Sequence, residues 1–136
     1  MRAPFSALEW RARKDRTALN WYFETTNSTT YVNPASDACL VLINAIASEG
    51  SGRPGLRDDF SDGLVKNVAG QCNTIVVIHN AGIRLVDQWI GHPNVIGVIF
   101  AHLPGQDSGE ALTRILHGNV SPSGMCQTLR VFGSLI

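Results

Sequence analysis

"ACLVLINA", residues 38–45, is an almost unbroken run of apolar residues. A short run rich in Val, Leu and Ile is typical of a strand that is covered on both faces, which is the usual state of strands in a parallel sheet. Two similar runs follow along the chain, "IVVI" at 75–78 and "VIGVIFA" at 95–101. Residues 18–23 alternate apolar and polar side chains and are predicted to form an edge strand.

Amphipathic helices are predicted between and after these strands. In each, apolar residues at i, i+1, i+4 and i+5 form one stripe that can lie on a sheet. The three sets are Leu64, Val65, Val68 and Ala69; Leu85, Val86, Trp89 and Ile90; and Ala111, Leu112, Ile115 and Leu116. Phe5, Leu8 and Ala12 indicate a further helix near the start. Ser61 is the predicted N-cap of the helix that contains the first set, and Gly118 is the C′ residue after the last.

Strands that alternate with helices predict right-handed βαβ crossovers and a parallel-sheet α/β sandwich, with three layers in a flavodoxin-like arrangement. At 136 residues the chain has the size of one domain. Eleven basic residues balance eleven acidic ones, so no strong field directs the chain to nucleic acid or to an anionic membrane. No window approaches the ~18 consecutive apolar residues of a membrane span, and the first residues lack the apolar core of a signal peptide. We expect no nucleic-acid or membrane partner.

The three cysteines, Cys39, Cys72 and Cys126, form no CxxC pair and have no histidine at the spacing of a zinc site. Cys39 lies in an apolar run and Cys72 on the apolar stripe of a predicted helix, so both are predicted to be small core residues. The cysteines therefore do not fix the redox compartment, and nothing indicates a metal or organic cofactor. Asn27 and Asn119 begin N-x-S/T triplets, which would be glycosylation acceptors only in a secreted protein.

Polar residues follow each apolar run, at the carboxyl ends of strands where open parallel sheets bind ligands. Glu49 follows the first run, His79 and Asn80 follow the second, and His102 follows the third. Histidines beside apolar strands are more often hydrogen-bonded structural residues than catalysts. Glu49 lies in the loop "ASEGSGRPGL", residues 47–56, whose glycines predict a flexible segment with an exposed carboxylate.

Three other patterns have simpler explanations than catalysis. "HLPGQDSGEAL", residues 102–112, could cradle a phosphate, but it lacks the GxGxxG and GK[ST] signatures. It is predicted to be a tight turn into a helix that is capped by Asp107 or Ser108. Asp58 and Asp59 resemble a carboxylate pair, although adjacent acids at a helix start usually interact with the helix dipole. No Ser-His-Asp order or G-x-S-x-G elbow is present, which argues against a serine hydrolase.

Four segments, in order, carry a more specific pattern: "SDACLVLINAIASEGSGRPGL" (36–56), "DGLVKNVAGQCNTIVVIHNAG" (62–82), "HPNVIGVIFAHLPGQDSGEAL" (92–112) and "GNVSPSG" (118–124). Together they closely resemble the second domain of fungal β-glucosidases of glycoside hydrolase family 3. Residues 1–124 are therefore predicted to be part of that C-terminal α/β sandwich domain. Residues 125–136 are a divergent tail.

The resemblance implies a retaining glycosidase with no cofactor and no metal. In this family an N-terminal barrel domain donates an aspartate nucleophile, and the α/β sandwich supplies the general acid/base on a loop over the sugar pocket. That loop reads S-E-G or S-G-E-G in fungal members, and the matching residue here is Glu49. The implied substrates are β-glucosides and oligosaccharides, and the implied location of the full-length enzyme is extracellular.

The chain also departs from the family pattern. Ser51 stands where related sequences usually carry Tyr or Trp, and "CNTI" is one residue shorter than the usual C-N-N-T-I. These 136 residues contain neither the barrel with its nucleophile motif nor the first strands of the sandwich. We therefore expect an incomplete sandwich that does not hydrolyse glucosides alone. The alternative is a non-catalytic remnant that binds a sugar or another protein weakly.

Overall fold

The three apolar runs form one parallel sheet. The structure, a computed structural model, describes residues 3–23, 28–122 and 124. Its elements are α1 (Pro4–Asp15), β1 (Cys39–Ala45), α2 (Asp59–Ala69), β2 (Thr74–Asn80), β3 (Val95–Phe100), a 3-10 turn (Gly105–Asp107) and α3 (Ser108–Leu116). The strand order is β1-β2-β3, and both neighbouring pairs are parallel. The predicted parallel α/β fold is confirmed.

The core lies between the sheet and α2, which packs against β1 and β2. Strand β2 is central in the sheet, and its residues Val76, Val77 and Ile78 are buried. Because this strand is paired on both edges and covered on both faces, its sequence is continuously apolar rather than alternating. The core cluster consists of Val41, Ile43, Val65, Val68, Val76, Ile78 and Trp89. Helices α1 and α3 pack against each other.

A disulfide joins Cys39, the first residue of β1, to Cys72, which lies between α2 and β2. Cys72 is buried and Cys39 packs against the core, as predicted, but the bond between them was not predicted. The helical position predicted for Cys72 is wrong, because α2 ends at Ala69. The parallel register pairs Cys39 with Thr74 and brings the two cysteine Cα atoms to 6.0 Å, within the range that a disulfide bridges. One sequence signal could have indicated this disulfide. Cys39 lies at the start of one predicted strand and Cys72 lies just before the next, and the starts of parallel neighbouring strands lie side by side.

The edge strand predicted for residues 18–23 is absent. The side chains that suggested it pack against α1 instead of a neighbouring strand. The ring of Phe5 meets Trp21 edge-on at a centroid distance of 5.3 Å and meets Phe23 in the same way at 5.1 Å. Alternating aromatic residues can therefore reflect contact with a helix as well as pairing in a sheet.

The helix predicted for residues 85–90 is also absent, and this stretch ends in turns. The side chains of Arg84 and Trp89 both donate to the same oxygen of Asp62, at 2.9 and 2.8 Å. Residues five apart on a helix point about 140° away from each other, so a helix that included Arg84 would direct the two side chains to different sides. The tertiary contact overrides the local apolar period.

The helix ends agree with the sequence at two of three positions. Gly118, just after α3, has a φ of 66°, as predicted for a C′ glycine. Asp107 occupies the predicted N-cap position of α3, although its side chain makes no capping hydrogen bond. Ser61 is not an N-cap, because α2 begins after Asp58 and Ser61 lies in its first turn, where its hydroxyl donates to the Asp58 carboxylate.

We predict that reduction of the disulfide destabilises the chain. Its cysteines are 33 residues apart, and closing a loop of that length in the unfolded chain corresponds to about 4 kcal/mol. Urea unfolding with and without a thiol reductant measures the difference. Cys126→Ala should keep the reductant sensitivity, whereas Cys39→Ala/Cys72→Ala should abolish it; identical midpoints for the wild-type chain in both conditions would contradict the assignment.

We also predict self-association, because β1 and β3 each have an unpaired edge in the described part of the chain. Ile96 is an exposed apolar residue of β3, one of these edge strands. Ile96→Lys should reduce association measured by sedimentation velocity over a concentration series, since charged residues protect edge strands. Ile90→Lys, an exposed apolar position outside the sheet, is the matched control. A monomer at every concentration would refute the prediction.

Candidate active site

Glu49 lies at the corner of a tight turn beyond the carboxyl end of β1. The N–H of Ser51 donates to the carbonyl of Ser48 at 3.2 Å and closes the turn 48–51. Gly50 has a φ of 76°, whereas Glu49 is outside the left-handed region. This is the sign pattern of a type II turn, which requires Gly or Asn at its third position. The carboxylate of Glu49 is exposed, as predicted.

The part of the loop after this turn is held by the segment that follows β2. Arg53 Nη1 donates to the carbonyls of Ile83 and Ala81, at 2.6 and 3.3 Å. The N–H of Leu85 donates to the carbonyl of Leu56 at 3.0 Å. We call residues 48–51 the Glu49 turn, residues 53–57 the stem, and residues 81–87 the receiving segment.

The receiving segment is in turn attached to α2 by a buried ion pair. Asp62 Oδ1 accepts from Arg84 Nη2 at 2.9 Å and from the indole N–H of Trp89 at 2.8 Å. The exposed fraction is 0% for the Arg84 side chain and 2% for that of Asp62. The stem and the receiving segment also contact each other through an ion pair of 2.6 Å between Arg57 and Asp87, which is half-exposed.

None of these supporting residues was predicted from the sequence to be functional. One signal was available for Arg84, which is a charged residue between the apolar Ile83 and Leu85. Charged side chains are rarely buried unless they are paired, so an isolated arginine in an apolar stretch points to a distant acidic partner. No comparable signal exists for Arg53, whose partners are backbone carbonyls.

His79 and Asn80 end β2, next to the end of β1, as predicted. Asn80 is buried, and its side-chain N–H donates to the carbonyl of Gly82 at 3.0 Å, which is a structural role. His79 is half-buried, and its Nε2 has no partner among the described residues. Burial lowers the pKa of His79 because a charged ring would lose hydration.

The remaining candidates lie at the ends of other elements. His102 is exposed, has a φ of 50° and lies after β3. Asp58 and Asp59 occupy the N-cap and first turn of α2, in agreement with a helix-start role. Residues 102–112 form the predicted tight turn into α3.

An open groove of about 490 Å³ lies between the end of β1 and the loop. Its lining runs along residues 44–48 and 51–55 and includes Arg57 and Asp58. Glu49 does not line the groove. Two large apolar residues lie beyond the carboxyl ends of the outer strands, Ile46 after β1 and Leu103 after β3, and their side chains are 86% and 72% exposed.

No group of three His, Cys, Asp or Glu residues in the described ranges is arranged to hold a metal ion. Within the same ranges, no helix is both long enough and apolar enough to cross a membrane.

Residues 1–128 match the profile of the glycosyl hydrolase family 3 C-terminal domain. The chain belongs to glycoside hydrolase family 3. The resemblance inferred from the four sequence segments is confirmed.

Relatives in this family are much longer than the chain. It is 62% identical over 122 residues to beta-glucosidase cel3A of Pyricularia oryzae, covering 89% of this chain and 16% of the relative. It is 55% identical over 123 residues to the probable beta-glucosidase M of Neosartorya fischeri, covering 90% of this chain and 16% of the relative.

Two solved structures share the fold. The family 3 β-glucosidase of Neurospora crassa matches with a TM-score of 0.72 and 34% identity over 89% of this chain. The β-glucosidase of Chaetomium thermophilum matches with a TM-score of 0.73 and 32% identity over 91% of it. The chain covers 16% of each structure. It thus corresponds to a small part of the family 3 enzymes it resembles.

We predict that His79 makes the stability of the chain depend on pH. Because its folded-state pKa lies below the ordinary value of 6.5, the unfolded chain binds a proton more readily. The contribution of neutral His79 to the free energy of unfolding is fully present above pH 6.5. It is lost as the pH falls through the lower folded-state pKa. Urea midpoints at pH 7.5 and pH 5 should differ less in His79→Gln than in the wild-type chain. His102→Gln is the control at an exposed histidine, and an unchanged difference in His79→Gln would contradict the assignment.

Proposed function

We propose that this chain supplies the general acid/base, Glu49, of a retaining β-glucosidase whose active site is completed by an N-terminal barrel domain. The observation that carries this proposal is the position of Glu49, an exposed carboxylate at the corner of a turn beyond the carboxyl end of β1. Ligands of open parallel sheets bind at this end of the strands. The similar proteins named β-glucosidases support the substrate class.

The proposed chemistry needs one carboxyl group from each domain. A barrel aspartate attacks the anomeric carbon while Glu49 protonates the leaving oxygen, which gives a covalent glycosyl-enzyme. Glu49 is then ionised and accepts a proton from the water that releases glucose. In a closed pocket the negative charge of the nucleophile favours the protonated form of its partner acid. The chain alone lacks the nucleophile in this scheme, so we expect it to be inactive.

Two further features fit a larger secreted enzyme. The apolar side chains of Ile46 and Leu103 are exposed at the same end of the sheet as Glu49, and exposed apolar surface often marks an interface. A second domain at this end would cover them. The disulfide between Cys39 and Cys72 is typical of proteins that mature in an oxidising compartment, which supports an extracellular location.

We predict a specific kinetic signature for Glu49→Ala. Residues 7–124 are grafted in place of the matching segment of beta-glucosidase cel3A of Pyricularia oryzae, which is 62% identical over 122 residues. Loss of the acid should lower the rate for poor leaving groups by about 10²–10⁴-fold. Activated aryl glucosides should be affected far less, because a good leaving group departs without a proton. Added azide should restore turnover and give a β-glucosyl azide, since azide needs no general base.

Asp59→Asn is the matched control, because Asp59 is an exposed carboxylate at the nearby start of α2. It should show neither the dependence on leaving group nor the rescue by azide. Equal slowing of all leaving groups in Glu49→Ala, without azide rescue, would refute the proposal and move the search to Asp58 and Asp59. Stoichiometric, Glu49-dependent glucose release by the isolated chain would contradict the expected inactivity.

A further inference from the structure

We infer that Arg53 is a positioning residue: its guanidinium fastens the stem to two carbonyls of the receiving segment and thereby fixes the Glu49 turn. The inference rests on the proposed role of Glu49. Arg53 Nη1 donates to the carbonyls of Ile83 and Ala81, at 2.6 and 3.3 Å, across a separation of about 30 residues in sequence. A charged donor makes stronger hydrogen bonds than a neutral one.

The Glu49 turn has little packing of its own. A Cβ atom added at Gly50 or Gly52 would meet no heavy atom within 4 Å. The backbone pairing of the turn, a hydrogen bond from Ser51 to Ser48 and an antiparallel bridge between the same two residues, is internal to it. It closes the turn but does not orient it relative to the sheet. The placement of Glu49 must therefore come from the points where the chain on either side is held.

Those points are the end of β1 and Arg53. Strand β1 ends at Ala45, and Arg53 makes the first tether after the turn. Without the Arg53 side chain, the next tether is the bond from Leu85 to Leu56. The segment without a tether is residues 46–52 in the wild-type chain. It would lengthen to residues 46–55 in the variant. A longer free segment samples more positions, so the carboxylate would spend less time where a substrate needs it.

Arg57 provides a matched comparison on the same stem. It also reaches the receiving segment, through Asp87, but this pair is half-exposed. The 2.6 Å contact from Arg53 to Ile83 is exposed as well, so the two arginines differ in position rather than in exposure. The Arg57 contact also lies beyond the Leu56 tether, so its loss does not lengthen the free segment. Comparison of the Arg53 and Arg57 variants therefore distinguishes the loss of a tether on the turn from the loss of one positive charge.

The first experiment measures amide hydrogen exchange in this chain. Arg53→Ala should speed exchange of the Ser51 and Leu85 amides by about three- to tenfold, as expected when a hydrogen-bonded tether is lost. Arg53→Lys, which keeps the charge but not the planar fork, should give a smaller increase. Arg57→Ala should leave the Ser51 amide unchanged. Unchanged protection of β2 amides such as Val77 shows that each variant is folded, and unchanged Ser51 exchange in a folded Arg53→Ala would overturn the inference.

The second experiment measures catalysis in the grafted full-length enzyme. Arg53→Ala should lower kcat for poor leaving groups by about 10–100-fold, as a misplaced catalytic group does, with little change in KM. Arg53→Lys should recover part of this loss, and Arg57→Ala should lower kcat much less than Arg53→Ala does. Because Arg53 acts through Glu49, Arg53→Ala/Glu49→Ala should be no slower than Glu49→Ala alone.

The two experiments distinguish failure of this inference from failure of the proposed function. Absence of the leaving-group signature in Glu49→Ala refutes the acid/base role, while hydrogen exchange still decides whether Arg53 holds the turn. If Glu49→Ala shows the signature but Arg53→Ala behaves like Arg57→Ala, the inference is wrong. Additive losses in the double variant would also overturn it, because they would mean that Arg53 acts independently of Glu49.

Discussion

The carboxylate of Asp62 is the constraint on which the candidate active site depends. It accepts hydrogen bonds from Arg84 and Trp89 and so attaches the segment after β2 to helix α2. Removing one member of a buried ion pair costs about 3–5 kcal/mol, because the remaining charge is left without a partner. Arg53 of the stem donates to two backbone carbonyls of that segment, and the stem directly follows the turn that contains Glu49. A buried interaction in the core thereby determines where an exposed carboxylate lies.

Most of the fold could be predicted because its signals are local. The three apolar runs and the stripes of α2 and α3 each reflect the environment of a single element, and all of them are found in the structure. The failures involve long-range contacts. The stretch 85–90 has a helical apolar period but ends in turns, and Trp89 within it and Arg84 just before it both donate to Asp62. Residues 18–23 alternate like a strand but contact α1.

The sequence pointed to Glu49, the central residue of the candidate site. It did not point to the residues that hold the Glu49 loop in place. Glu49 stands out because a carboxylate in a loop of small residues follows an apolar strand, and because the family motif matches there. Arg53 does not stand out, since its acceptors are backbone carbonyls, which every residue has. The disulfide escaped prediction for a related reason. Cys39 and Cys72 become neighbours only through the parallel register of β1 and β2.

We propose that Glu49 and a barrel aspartate together form one retaining active site. The most direct measurement is a crystal structure of a full-length enzyme that carries this segment, with a glucose analogue bound. In it, the separation between the carboxyl groups of Glu49 and the nucleophile can be read. We expect roughly 5–5.5 Å, with the Glu49 carboxylate beside the glycosidic oxygen. A separation of about 6.5–9.5 Å, the range of inverting pairs, or a Glu49 side chain directed away from the sugar would contradict the claim.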